Sequence, residues 1–171
     1  PTVCAGYSMG GLLVVERFLA GQIQCAKFVL FAPAFALLTP EFAASLLQAV
    51  LPATFKVPSG IPGDYKHFDY LGLAPTFATL NAVRRLHHQL KNLNGKTLPP
   101  GIIFSDVRDR VVDGQKMRDM VREYFPQWRV VDVEALPLNE HHAFHMVIDQ
   151  PHLGEAQWTK MTGEINAFLK Q

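Results

Sequence analysis

Gly6-Tyr7-Ser8-Met9-Gly10 follows the short apolar run Thr2-Val3-Cys4-Ala5 and leads directly into Gly11-Leu12-Leu13-Val14-Val15. A G-x-S-x-G segment between a strand and a helix is the pattern of a nucleophile elbow, a turn so tight that its serine is held in a strained backbone conformation. Glycine is expected on both flanks, at positions 6 and 10, because a Cβ at either would strike the neighbouring strand or helix. The bend lifts Ser8 Oγ into the open, with the positive end of a helix behind it. A bare G-x-S-x-G recurs by chance; the strand before it and the helix after it give this one weight. The competing reading is a glycine-rich strand-to-helix turn with an idle serine.

The rest of the chain alternates in the same way. Residues 2–6 read as a strand and 9–20 as a helix with Leu12, Leu13, Val15 and Leu19 on its apolar side, stopped by Gly21. Lys27 to Ala32 is an apolar run ending at Pro33, as expected of a central parallel strand covered on both faces. Thr39-Pro40 opens a short helix, as N-cap and first helical residue. Residues 53–75 are punctuated by proline and glycine and read as irregular chain, longer than a compact domain tolerates unless the loop has a task. A helix over about 76–93, a buried strand over 101–105, a helix over 114–125, a strand over 129–134 and a closing amphipathic helix over about 154–170 follow. This order predicts an α/β fold: one domain, a parallel sheet with helices on both faces, and residues about 34–98 as a cap inserted between two strands.

Composition narrows the function classes. The chain has 171 residues, 49% hydrophobic and 18% charged, enough for one sizeable core and too apolar for disorder. With a net charge of +1 and dispersed lysines and arginines, neither a nucleic-acid groove nor a polybasic membrane patch is expected. The longest apolar stretch, Phe28 to Leu38, contains Pro33 and is too short to span a bilayer, so no integral membrane segment is expected. Cys4 and Cys25, one in a predicted strand and one just before another, read as core thiols and not as a disulfide or metal site. No signal peptide is visible, the expected location is cytoplasmic, and a homo-oligomer stays open.

Parallel α/β sheets build their sites at the carboxyl ends of the strands. A serine nucleophile needs a base, and the base needs an acid to orient it; on an elbow fold they follow in the order serine, acid, histidine. After the strand 101–105 comes Ser105-Asp106-Val107-Arg108-Asp109-Arg110-Val111-Val112-Asp113. Asp109 is the favoured acid: it lies past the strand end, and the Val-Val pair after it can anchor the loop. Asp106 reads as the end of the strand and Asp113 as the N-cap of the next helix. Beyond the last strand, His141, His142 and His145 fall in Leu138-Asn139-Glu140-His141-His142-Ala143-Phe144-His145. Counting forward from the strand favours His141 or His142, and counting back from Asp149-Gln150-Pro151 favours His145; His142 is adopted as the base. No cysteine or carboxylate pattern completes a metal site around these histidines. His67, His87, His88 and His152 read as packed or solvated side chains.

With these residues in hand, the chain resembles the α/β-hydrolase superfamily: Gly6-Tyr7-Ser8-Met9-Gly10-Gly11, the Asp109-Arg110-Val111-Val112 step and the terminal histidine loop carry the likeness. Within it the chain is most similar to small-cap carboxylesterases and to monoacylglycerol lipase or lysophospholipase-like enzymes. The resemblance implies Ser8 as nucleophile, Asp109 as acid, His142 or a neighbour as base, and the Met9 N–H as one oxyanion-hole donor, with no metal or organic cofactor. It also implies that the chain is the C-terminal part of a larger hydrolase, since only residues 1–5 precede the elbow and the loop giving the second oxyanion donor is not among them. The implied activity is serine carboxylic ester hydrolysis; an acyltransferase or thioesterase with the same residues, and a non-catalytic binding module of this fold, are the alternatives.

The predicted insertion bears on the substrate. Seven of the twelve phenylalanines (28, 31, 35, 42, 55, 68 and 77) lie within residues 28–77, and 36–80 holds only five charged residues. Such a segment over the site favours a small-molecule ester with an apolar acyl chain over sugars, phosphates or peptides. The alternative is that these rings merely pack the insertion onto the body.

Overall fold

In a computed structural model of the chain, residues 2–38, 55–58, 70–93, 98–137 and 144–171 are described. The strands among these residues are β1 (Val3–Tyr7), β2 (Lys27–Phe31), β3 (Lys56–Pro58), β4 (Tyr70–Gly72), β5 (Gly101–Ser105) and β6 (Arg129–Asp132). The helices among the described residues are α1 (Met9–Leu19), α2 (Leu73–Lys91), α3 (Gly114–Tyr124) and α4 (Gln150–Lys170). The two most apolar runs of the sequence, β2 and β5, pair at the centre of a parallel sheet of order β1-β2-β5-β6. The protein therefore has the expected α/β architecture. The stretch read as irregular contains an antiparallel pair, β3 with β4, in which Val57 faces Leu71 in register.

Strand periodicity sorts the side chains of the central strands to opposite faces. Phe28, Leu30 and Ile103 enter one buried cluster, with Leu12 and Val15 of α1, Val83 and Leu86 of α2, and Met117 and Val121 of α3. Val29, Ile102 and Phe104 enter the other, with Leu153, Met161 and Phe168 of α4. Among the described residues, three helices thus cover one face and α4 the other. Two of the phenylalanines counted within residues 28–77 belong to this body: Phe28 and Phe35 are fully buried and pack against Trp128, and Phe35 also stacks on Phe125. Phe42 and Phe68 lie outside the described residues, as does the helix expected from Thr39-Pro40.

The last helix starts earlier than its periodicity indicates. Asp149 caps it by accepting from His152 N–H at 2.9 Å, and Pro151 sits in its first turn. Gly154, at φ 74, breaks the helical path there, and the long regular part follows. No helix among the described residues is long and apolar enough to cross a membrane.

One expectation from the sequence is overturned. Cys4 and Cys25 are joined in a disulfide, with Cα atoms 5.6 Å apart, and are not free core thiols. The parallel register explains it: Cys4 lies opposite Phe28, so the residues leading into β2 are carried back beside β1. Closing a loop of 21 residues restricts the unfolded chain by about 3 kcal/mol. Reduction, or the variant C25S, should lower the melting temperature by on the order of 10 °C, read by calorimetry with and without reductant.

Candidate active site

Ser8 is the hinge between β1 and α1. Its backbone takes φ 51 and ψ −120, the left-handed side that L-residues avoid. Ser8 N–H donates to the Phe31 carbonyl at 2.9 Å, and the Ser8 carbonyl accepts from Ala34 N–H at 3.0 Å and Leu12 N–H at 3.2 Å. The bend is therefore stitched to the carboxyl end of β2 and to the first turn of α1. The two flanking glycines differ. A Cβ on Gly6 would lie 2.6 Å from Gly11 N and 2.7 Å from Gly10 C, a backbone clash with no relief. A Cβ on Gly10 would meet nothing within 4 Å among the described residues. The second tight position is Gly11, where a Cβ would press on Pro33 at 3.0 Å.

Although Ser8 stands at the N-cap of α1, its hydroxyl makes no cap hydrogen bond. It is engaged by His145 Nε2 at 2.7 Å, and His145 Nδ1 lies 2.6 Å from Asp109 Oδ2. The imidazole beside Ser8 is therefore that of His145; His142, adopted from the sequence, lies outside the described residues, as does His141. The signal for His145 was the helix start at Asp149-Gln150-Pro151, from which counting back gives this residue.

Asp109 is buried, with only 3% of its side chain exposed. Its second oxygen, Oδ1, accepts from Val111 N–H at 2.7 Å and Val112 N–H at 3.0 Å. The turn that follows is held from outside: Asp113 N–H donates to the Ala36 carbonyl at 2.9 Å and Leu38 N–H to the Val111 carbonyl at 3.2 Å. Asp113 caps α3 through Lys116 N–H at 3.0 Å, while Asp106 is a fully enclosed carboxylate and more than a strand end. Burial alone would raise the Asp106 pKa, but hydrogen bonds from the Arg108 side chain and from the Arg108 and Ala135 N–H groups outweigh it, so the net shift is downward.

Around the imidazole, the Tyr7 ring lies 5.2 Å away, centre to centre, and its hydroxyl points to Met146 Sδ at 3.0 Å. Burial, with the nearby Asp109 and Asp149 charges, pushes the Tyr7 phenol above its ordinary range and keeps it neutral. Met9 begins α1, so its N–H is one of those at a helix start that no intrahelical carbonyl reaches. The residue is 40% exposed, and its Sδ is approached by Thr79 Oγ1 of α2 at 3.0 Å. Leu38 and Val111 add exposed apolar side chains beside the Asp109 turn. Sequence reading passed over Thr79, Arg108 and Phe144, because their contacts join segments remote in the chain.

A serine hydroxyl, an imidazole and a buried carboxylate in one hydrogen-bonded line can pass a proton from the hydroxyl to the ring while the carboxylate holds the ring's orientation. Known structures share the fold. A metagenome-derived lipolytic enzyme of the LipS and LipT pair superposes with a TM-score of 0.68 at 15% identity, over 99% of this chain and 65% of its own. A soluble variant of the Saccharomyces cerevisiae monoglyceride lipase, bound to a substrate analogue, gives 0.63 at 13% identity, over 97% and 60%. The Paleococcus ferrophilus monoacylglycerol lipase gives 0.59 at 15% identity, over 76% and 57%. The chain thus has the α/β-hydrolase fold and spans less than two thirds of the length of each of these structures. No family model matches it, and comparison with curated proteins gives no match.

The glycine geometry separates two variants. G6A should unfold the elbow or cost several kcal/mol, since backbone meets backbone, whereas G10A should gain about 0.5–1 kcal/mol from its helical position; thermal melts of the pair decide it. The Asp106 carboxylate, held below its unfolded value, adds stability above the unfolded pKa of about 3.9 and loses it as the pH falls through the lower folded value. D106N should therefore be less stable than the parent at pH 7, with the gap narrowing below about pH 4 in urea titrations.

Proposed function

We propose that the protein is a serine carboxylic ester hydrolase acting on apolar acyl esters through an acyl-Ser8 intermediate. One observation carries the reading: Ser8 Oγ, both His145 nitrogens and Asp109 Oδ2 form a continuous hydrogen-bonded line, with links of 2.7 and 2.6 Å, at the carboxyl ends of parallel strands. In this reading His145 Nε2 takes the Ser8 proton as Oγ attacks the ester carbonyl, and Asp109 stabilises the imidazolium that forms. The Met9 N–H donates to the oxyanion, and a preorganised donor of this kind contributes about 10²–10³ in rate. Collapse of the tetrahedral intermediate passes the His145 proton to the leaving alcohol. Water, deprotonated by the same nitrogen, then releases the acid.

The substrate class follows from what surrounds the serine. Met9 next to Ser8, and Leu38 and Val111 beside the Asp109 turn, leave apolar surface exposed, and Leu37, which pairs with Val112, packs with Leu73, Phe77 and Leu80 in a small apolar cluster. This favours an acyl chain over a sugar or phosphate. Residues about 34–98 serve as the cap in this reading, although α2 also packs into the body through Val83 and Leu86. The Cys4–Cys25 disulfide favours an oxidising compartment over the cytoplasmic location expected from the sequence.

In the full-length protein, a fluorophosphonate probe should label the parent but not S8A. S8A and H145A should each lower turnover of p-nitrophenyl esters by on the order of 10⁴-fold or more, while H142A stays near the parent. Loss of activity in H142A with retention in H145A would reverse the assignment of the base. Preference for acyl-CoA over the ester panel would favour the thioesterase or acyltransferase alternative, and an unlabelled parent the non-catalytic module.

A further inference from the structure

The acid turn and the histidine loop arrive from different strands, yet His145 must meet Asp109 to within a fraction of an ångström. One side chain touches all the segments involved. Arg108, immediately before Asp109, donates through Nε to Asp106 Oδ1 at 2.9 Å and through Nη2 to Asp106 Oδ2 at 2.7 Å. Its Nη2 also donates to the Ala135 carbonyl at 2.8 Å, and Ala135 N–H returns a bond to Asp106 Oδ2 at 2.7 Å. Ala135 lies just past β6, where the chain leaves the sheet toward the histidines. The far end of that excursion is touched as well: the Arg108 guanidinium carbon stands 4.3 Å from the centre of the Phe144 ring. Phe144 precedes His145 and takes φ 52, a left-handed conformation costly to a residue with a large side chain, which something outside its own backbone must hold.

We infer that the Asp106–Arg108 pair is a positioning device for the base: it ties the departure and the return of the histidine loop to the acid turn and so sets the imidazole between Asp109 and Ser8. The inference rests on the catalytic reading above. Arg108 acts on the imidazole through Phe144 and Ala135. The planar guanidinium is what the arrangement requires, since one face must lie on an aromatic ring while its edge donates to a carboxylate and a carbonyl. A lysine ammonium can reach Asp106 but cannot stack and fork together.

The test uses the full-length protein and the variants R108M, R108K and D106N, with kcat expressed per fluorophosphonate-titrated serine so that unfolded protein is discounted. R108M and D106N should lower kcat by on the order of 10²-fold, the effect of a misplacement near 1 Å. KM should change by less than about twofold, because the substrate surface is untouched. R108K should regain the melting temperature that R108M loses, but not the parent's kcat. A second readout needs no turnover: the low-field proton resonance of His145 Nδ1–H, bonded to Asp109, should be present in the parent and lost in R108M. Absence of that resonance in the parent, its persistence in R108M, or full kcat in R108K overturns the inference. A parent that turns over no ester fails the catalytic reading alone, and the resonance then decides the positioning role by itself.

Discussion

Ser8 occupies a backbone conformation that costs about 1–3 kcal/mol for a residue other than glycine, and much of the site geometry depends on its being kept there. The bonds from Ser8 N–H to Phe31, from Ala34 N–H to Ser8 and from Leu12 N–H to Ser8 hold it. They recruit the end of β2 and the start of α1, so the bend cannot relax without unpairing the sheet or fraying the helix. The absence of a Cβ at Gly6 lets α1 pass within contact of β1. Strain at the serine is thus supported by the most buried part of the molecule, the β2–β5 pair and the helices packed on it.

The acid and the imidazole are fixed by a different logic. Neither carboxylate of the 106–109 turn is left to find its partners in solvent. Asp109 Oδ1 is filled by two N–H groups of its own turn, which leaves Oδ2 to the imidazole. Asp106 gives both oxygens to Arg108 and Ala135. A buried carboxylate is expensive unless such donors surround it. The two therefore act as anchors that fix loop conformation, where an exposed pair would contribute little.

What was legible in the sequence was whatever a local pattern encodes. The apolar runs at 27–31 and 101–105 and the G-x-S-x-G segment each carry their structure within about ten residues, and the parallel sheet follows from their alternation with helices. Asp109 and the N-cap Asp113 could be told apart because a cap stands at a fixed distance from its helix. The disulfide was not legible, since Cys4 and Cys25 meet only through the register of β1 on β2. The identity of the imidazole was hidden for a related reason. Counting from β6 ignores the ties that hold the described ends of the loop, Ala135 N–H on Asp106 and Phe144 in its left-handed conformation on Arg108.

The described ends of the loop account for the placement of His145. A loop leaving β6 at Ala135 and entering α4 at Asp149 is fixed at both ends: Leu136 N–H donates to the His152 carbonyl at 2.6 Å, and Asp149 caps the helix. His145 is set at Ser8 by the residues beside it, where Phe144 rests on Arg108 and Tyr7 meets both the His145 ring and Met146. The position of the base thus depends more on what the loop is tied to as it comes back than on how far it has travelled from the strand.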